Sequence, residues 1–321
     1  MKKKLVSVVI PVFNQADFAV ETVESVVGQT YGNVQIIVVD DGSTDDGAAR
    51  IRDAFGSDVE LISQPNGGPS AGINTGLRAA KGEFIALLGG DDVAMPDRIA
   101  SQTEILSETS HDIIFSRPHL INSFGDPLPD EDFPIFFDPG LTGRSIFQRL
   151  LLQGNFLCAS STMMSAAAAQ KIGFFHPGLI QLQDYDYWLR ACALGCSLAV
   201  FEQRVVKYRR HFSNLSSSAR DFAMLVELPL VIRRSLDDAC PAVLRKEFPE
   251  IFRPQVNPNA PISAFEKSGL LLSHPREEVR ALGLSMAIQL FDDQAFMAEA
   301  GERGLNLFRM LYNAGENKQN L

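Results

Sequence analysis

Two acidic pairs, each set just after an apolar run, constrain this chain more than any other feature. The first run, Gln35-Ile36-Ile37-Val38-Val39, leads into Asp40-Asp41-Gly42-Ser43. The second, Glu83-Phe84-Ile85-Ala86-Leu87-Leu88-Gly89-Gly90, leads into Asp91-Asp92. Short β-branched or apolar runs of this kind read as buried parallel strands. Open α/β sheets bind ligands beyond the carboxyl ends of their strands. Both pairs are therefore expected on one rim of one sheet. Paired aspartates there suit a ribose and a divalent cation, and the cation suits a diphosphate.

The surrounding pattern supports a mostly parallel α/β sheet flanked by helices. Val6 to Val12 reads as strand one, and Val23, Val26, Val27 and Thr30 then recur at helical spacing. Ser43, with Asp46 three residues on, is the expected N-cap of a helix running through Phe55. Val59 to Ile62 is a short third strand, and Asn66-Gly67-Gly68-Pro69 carries turn chemistry. A helix is expected from Ser70 to Lys81, stopped by Gly82. Pro96 suits the first turn of the next helix. Gly125 to Pro139 reads as a loop over the sheet edge, Ala159 to Met164 and Leu198 to Tyr208 as strands, and Asp184 to Leu194 as a helix. Past Ser218 helical patterns dominate, broken by prolines. The expected division is an α/β domain over 1–218 and a helical C-terminal region over 219–321. The tail from Asn313 to Leu321 is polar and expected to fray.

Composition excludes some classes. The net charge of the 321 residues is −10, which argues against a general nucleic-acid binder. The apolar stretch after Lys2-Lys3-Lys4 is short, contains Ser7 and Pro11, and reads as a strand rather than a signal peptide or membrane span. Four scattered cysteines (Cys158, Cys192, Cys196, Cys240) fit a reduced, cytoplasmic compartment. Cys192 and Cys196 have helical spacing, but no second pair completes a zinc site.

These segments resemble a known family. Val6-Ser7-Val8-Val9-Ile10-Pro11-Val12-Phe13-Asn14, Val38-Val39-Asp40-Asp41-Gly42-Ser43-Thr44-Asp45 and Gly82 to Leu88 before Asp91-Asp92 are similar to the family 2 glycosyltransferases, which have the GT-A fold and use nucleotide-activated sugars. Gln183-Asp184-Tyr185-Asp186-Tyr187-Trp188 resembles the acidic helix holding the family's base, and Tyr208-Arg209-Arg210-His211 its tyrosine-x-x-histidine segment. The likeness covers roughly residues 5 to 216 and leaves the helical tail outside.

The resemblance implies roles for individual residues. Pro11, Val12 and Phe13, with Asn14, would line the base pocket. Asp41 would bind the base edge or ribose, and Asp91 would face the ribose. Asp92 would hold Mg²⁺ or Mn²⁺ on the diphosphate, helped by His211. Asp184 would be the general base. There are departures. Many members carry an aspartate where this chain has Gly89, an arginine where it has Ile73, and a glutamate where it has Gln183.

Each assignment has a plainer counterpart. Asp40-Asp41-Gly42-Ser43 is also good turn and cap chemistry. Asp91-Asp92 could simply open a loop, although two adjacent acids repel unless a cation or donors compensate. Asp184 could be only an N-cap, and Asp186 is the alternative base. His211 could be only a surface histidine in a basic loop; in the functional reading histidine binds first-row metals and Arg209 and Arg210 offset phosphate charge. Trp188 reads as core packing before a sugar platform. The stripe Val279, Leu282, Met286 and Ile288 to Phe291 reads as helix core or an interaction face: packed on the catalytic domain, in a homodimer contact, or against a membrane presenting a lipid-linked acceptor.

The resulting expectation is a soluble, inverting, metal-dependent transferase. It would move sugar from a nucleotide-sugar donor, foremost a UDP-sugar, to a saccharide or lipid-linked saccharide in surface polysaccharide or glycolipid assembly. A cytoplasmic location, peripheral to the inner face of the membrane or free, goes with it. The rivals are a degenerate fold that only binds a nucleotide-sugar or partner, and a dinucleotide-dependent oxidoreductase. The second lacks its glycine fingerprint, because the first strand–helix turn reads Pro11-Val12-Phe13-Asn14-Gln15-Ala16.

Overall fold

The computed structural model describes residues 3–137, 143–212, 214–215, 220–252 and 255–302. In chain order the elements are β1 (Val6–Val12), α1 (Ala16–Val27), β2 (Val34–Asp40), α2 (Gly47–Phe55), β3 (Glu60–Ser63), α3 (Pro69–Ala79), β4 (Phe84–Leu87), β5 (Val93–Ala94), α4 (Arg98–Glu108), β6 (Ile113–Ser116), β7 (His119–Ile121) and β8 (Pro127–Leu128). They continue with α5 (Ile146–Gln153), β9 (Met163–Ser165), α6 (Ala166–Ile172), α7 (Gln183–Ala193), β10 (Leu198–Phe201), β11 (Val206–Arg209), α8 (Arg220–Asp237), α9 (Pro241–Glu247), α10 (Ala264–Leu272), α11 (Glu277–Gln289) and α12 (Gln294–Glu302).

The chain forms two compact units. One comprises residues 1–139, 155–191 and 196–218; the other comprises 140–154, 192–195 and 219–321. The first holds a seven-stranded sheet in the order β10-β6-β9-β4-β1-β2-β3, parallel except for β9, and a small second sheet β5-β11-β7-β8. The central strand β1 pairs parallel with β2 and β4, with Val12 opposite Asp40 and Val9 opposite Leu87. This register brings the carboxyl ends of β1, β2 and β4 to one rim. The Asn14, Asp41 and Asp91 turns all leave from it.

Burial follows from helices covering both faces. Every residue of β1 except Pro11 is buried, as is every residue of β4 and β6. The buried Ser7 shows how a polar residue is accommodated: its hydroxyl donates to Gln35 Oε1 (2.6 Å) and accepts from the amides of Lys81 and Gly82 (3.1 and 2.8 Å). One serine thereby ties β1, β2 and the α3–β4 turn together. Trp188 is fully buried, edge-on to Phe115 (4.8 Å) and Tyr187 (5.3 Å), so it packs the core.

Several local expectations shift. Ser43 does not cap α2; that helix starts at Gly47 after Asp46, whose side chain makes no cap bond. Ser43 instead donates its amide to Asp40 Oδ1 (3.0 Å). The turn chemistry of the Asp40 segment outcompetes the cap. α3 ends at Ala79, two residues early, because Ala80 is already extended while its amide closes on Gly76 O (3.0 Å). Ala159–Ser161 is a 3₁₀ turn, and the strand begins at Met163. Leu198 to Tyr208 divides into two strands belonging to different sheets. Within Gly125 to Pro139 the described part includes β8 and two 3₁₀ turns. The polar tail from Asn313 lies outside the described residues.

The second unit is helical. Ser263 and Glu266 form a reciprocal capping box on α10, and Arg245 Nη1 donates to the carbonyls of Pro258 (3.1 Å) and Ala260 (2.7 Å). The expected stripe splits: Val279 is buried, Leu282 and Met286 are half-buried, and Ile288 and Phe291 face solvent, while Gly283 and Ala287 complete the buried face of α11. No helix among the described residues is long and apolar enough to cross a membrane.

Helix α3 packs closely on β1 at Gly76. A Cβ at Gly76 would lie 2.2 Å from Val9 Cγ1. Gly76→Ala is therefore expected to destabilise the protein by about 1–3 kcal/mol, the usual range for overpacking, although alanine favours a helix. Urea denaturation measures it, and an unchanged midpoint would refute the packing argument.

Candidate functional site

Three loops meet at the rim. After β1, Asn14 adopts a left-handed backbone (φ 51°), which asparagine tolerates. Its side-chain oxygen accepts from the Thr44 amide (2.8 Å), and its own amide donates to Ser43 Oγ (3.0 Å). The first loop is thus cross-linked to the second. Phe13 is left half-exposed, and Val12 turns into the core. Pro11 and the buried Asp41 both face Gly72 of α3. Asp41 Oδ1 accepts from Gln64 Nε2 (2.6 Å) and the Gly67 amide (3.1 Å), which fixes the carboxylate against the Asn66-Gly67-Gly68 loop.

The third loop carries the second acidic pair. A Cβ built on Gly89 would sit 2.9 Å from Asp91 Oδ1, 3.0 Å from Asp92 Oδ2 and 3.1 Å from Ser160 Oγ. Two carboxylates and a hydroxyl therefore surround the space where the family's additional acid would stand. Asp92 is only 2% exposed. Burial, and then the neighbouring Asp91 carboxylate, push its pKa well above the usual carboxylate value, against the opposing effect of bonds from Ser160 and the Arg209 amide. Asp91 Oδ2 lies 3.0 Å from His211 Nε2 and accepts from Asn214 Nδ2 (3.3 Å). Phe18 stacks on the His211 ring (5.0 Å). The structure thus gathers Asp91, Asp92 and His211 into one cluster.

Two arginines stand around that cluster. Arg98, fully buried, donates to the carbonyls of Leu87 (2.8 Å) and Thr162 (3.1 Å); burial lowers it to about 10, so it stays a cation at neutral pH. Arg209 lies with its guanidinium turned inward and is only 2% exposed. This corrects the expectation that both arginines of the Tyr208-Arg209-Arg210-His211 segment offset phosphate charge. Arg209 is engaged by protein groups, and Arg210 lies over the Phe133 ring (4.1 Å). Neither Arg98 nor Glu21, the ion-pair partner of Arg209, stands out in the sequence as part of a site.

Asp184 sits apart, at the start of α7. Its Oδ1 accepts from the Tyr185 amide (2.7 Å) and its Oδ2 from Asn155 Nδ2 (2.8 Å). Burial pushes it up to about 6 despite these donors. Asn155 is a partner the sequence did not reveal. Asp186, the alternative base, is buried and pairs with Arg190 (2.8 Å), whose guanidinium ties down the carbonyls of Ile172 and Phe174. It holds the core in place. Beside His211 opens a cleft of about 520 Å³ whose lining includes Asn14, Asp17, Phe18, Arg50 and Phe212. It borders the acidic cluster through His211, while Asp41, Asp92 and Asp184 do not line it.

Among the described residues no three His, Cys, Asp or Glu side chains form a ready-made metal cage. The Gly89 cradle nevertheless fits Mg²⁺ or Mn²⁺. Such ions are held by one or two carboxylates when a diphosphate supplies further oxygens.

The Glycosyl transferase family 2 model matches residues 7–173, more than half of the chain. The chain belongs to glycosyltransferase family 2. An uncharacterized glycosyltransferase of Rickettsia conorii is 34% identical over 193 residues, 58% of this chain and 31% of that relative's length. The chain thus spans about a third of that curated relative. Two solved structures share the architecture. S. aureus TarS 1–349 in complex with UDP-GlcNAc superposes with a TM-score of 0.59 at 18% identity, covering 94% of this chain and 92% of that one. The mannosyltransferase PcManGT from Pyrobaculum calidifontis, in complex with GDP-Man and Mn²⁺, gives 0.55 at 13% identity over 99% and 88%. The fold is the expected GT-A fold.

Gly89→Ala is expected to cost roughly 1 kcal/mol of stability, because the atoms it meets are side-chain ends that can shift. The same shift pulls both carboxylates out of place and should weaken Mn²⁺ binding about tenfold. Mn²⁺ titration followed by electron paramagnetic resonance tests this; unchanged affinity would mean that the cradle is not the cation site.

Proposed function

We propose that this transferase moves a sugar from a nucleoside-diphosphate sugar, foremost a UDP-sugar, to a hydroxyl of a saccharide or lipid-linked saccharide, with inversion and with Mg²⁺ or Mn²⁺. The observation that carries this reading is the shared rim: in a family 2 chain, Asp41 on the loop after β2 faces the same edge as the Asp91–Asp92–Ser160 cradle after β4. The complexes of TarS with UDP-GlcNAc and of PcManGT with GDP-Man and Mn²⁺ support the donor class and the cation.

In this reading Pro11, Phe13 and Asp41 position the base and ribose, with Asn14 and Thr44 holding the loops. Asp91 would face the ribose, and Asp92, helped by His211, would hold the cation. When bound, it neutralises charge developing on the leaving diphosphate. Asp184 does the proton chemistry. The acceptor oxygen attacks the anomeric carbon as the bond to the diphosphate oxygen breaks, and the acceptor's proton passes to the Asp184 carboxylate. A single displacement inverts the centre. Asn155 and the Tyr185 amide aim that carboxylate, and its partial burial makes it a stronger base than an exposed aspartate.

A base must be ionised. Transferase activity should therefore be full above pH 7 and fall with unit slope as pH drops through about 6, the value given for Asp184. Asp184→Asn should lower kcat about 10²–10⁴-fold while leaving donor affinity in place. A pH–rate profile without that limb, or a fully active Asp184→Asn enzyme, would remove Asp184 as base. Equal, near-zero turnover of both proteins across a donor panel would favour the binding-module reading instead.

The broader test is thermal stabilisation by UDP, dTDP, GDP and NAD, each with and without Mn²⁺. A shift for one nucleoside diphosphate that needs Mn²⁺ and is lost in Asp92→Asn is expected. A shift with NAD alone, or none with any diphosphate, would overturn the proposal.

A further inference from the structure

Resting on the proposed cation site, we infer that Arg209 is a positioning residue that sets the geometry of the Asp91–Asp92 turn, with Glu21 as its anchor. The contacts of this one residue converge on the turn from two sides. Its backbone amide donates to Asp92 Oδ1 (2.8 Å), and its Nε donates to the Asp91 carbonyl (2.7 Å). The side chain of one acid and the main chain of the other are thus held by a single residue. The remaining donors of the guanidinium are also used. Nη2 donates to Glu21 Oε2 on α1 (2.6 Å), and Nη1 reaches the carbonyls of Asn122 (3.3 Å) and Ser123 (3.4 Å) in the β7–β8 turn. Phe18 covers the guanidinium 4.9 Å away, on the same ring that stacks against His211.

This arrangement is more than packing. A planar fork with five donors fixes the orientation of what it binds, which a lysine ammonium does not. Ser160 Oγ accepts from the Gly89 amide (3.0 Å) and Thr22 Oγ1 donates to the Gly90 carbonyl (3.1 Å), which tie the start of the turn, while Arg209 ties the two acids themselves. Glu21 is anchored from α1, and its charge compensates that of Arg209. The guanidinium can therefore sit beside a cation site without making the site's surroundings positive.

Electrostatics and positioning predict opposite signs for its removal. Deleting a positive charge next to a cation site should tighten Mn²⁺ binding if charge alone matters. Loss of the residue that orients the ligands should weaken it, by the 10–100-fold typical of outer-shell partners.

The experiment is a Mn²⁺ titration by electron paramagnetic resonance on the full chain, with wild type, Asp92→Asn, Arg209→Met and Arg209→Lys, each checked for its melting temperature. Wild type should bind Mn²⁺ and Asp92→Asn should not. Arg209→Met should then bind at least about tenfold more weakly, and Arg209→Lys should fall between it and wild type. A Kd in Arg209→Met equal to or tighter than wild type overturns the inference. If Arg209→Met does not fold, a wild-type Kd in Arg209→Lys overturns it, and a weakened one supports it. Failure of wild type itself to bind Mn²⁺ would remove the functional reading and this inference with it. Normal binding by both Arg209 variants, with loss in Asp92→Asn, would remove the inference alone.

Discussion

Two carboxylates side by side at the edge of a hydrophobic sheet repel each other, and Asp92 is nearly cut off from water. Much of the sheet-bearing unit is arranged around that repulsion. Arg98 is buried beneath the end of β4, Arg209 approaches from β11, Ser160 offers a hydroxyl, and His211 and Asn214 approach the second acid. A region built only for stability would replace such a pair with apolar side chains. Its presence, together with the donors collected around it, is what the proposed cation site rests on.

The rim combines two kinds of construction. The base side consists of loops that follow neighbouring strands and are bonded to each other through Asn14, Ser43 and Thr44. The acidic side, between β4 and the short β5, draws its support from distant segments: Thr22, Ser160, Arg209, His211 and Asn214. Asp184 follows a third principle. It takes its environment from a helix start and from Asn155, 29 residues earlier in the chain, and burial alone raises its proton affinity.

The β1–β4 alternation was readable in the sequence because parallel strands covered on both faces are almost pure apolar runs, and their carboxyl ends must lie together. The acids were readable because Asp40-Asp41 and Asp91-Asp92 interrupt those runs. Element ends were less so. At Ser43 two local hydrogen-bonding schemes compete, and the turn wins over the cap. The supporting residues were hidden for a different reason. Glu21 lies on an ordinary amphipathic helix, Arg98 at a helix start and Asn155 in an irregular segment, and each becomes meaningful only through a contact far along the chain. Arg209 was visible as part of a motif, but its sequence does not say that the guanidinium turns inward.

The match to the family model ends at residue 173, inside the strand and helix alternation. Both acidic pairs lie before that point. Arg209, which bonds Asp92 across 117 residues, and Asp184 lie after it. During synthesis the ribosome therefore releases the acidic turn together with Arg98 and long before Arg209, which reaches it only when β11 arrives. A fragment cut at the edge of the recognisable homology would keep both acids of the second pair, with Arg98 and Ser160, and lose Arg209, His211 and Asn214. For this chain, the smallest unit that can be studied as a site is set by long-range hydrogen bonds, and it is larger than the segment by which the family is recognised.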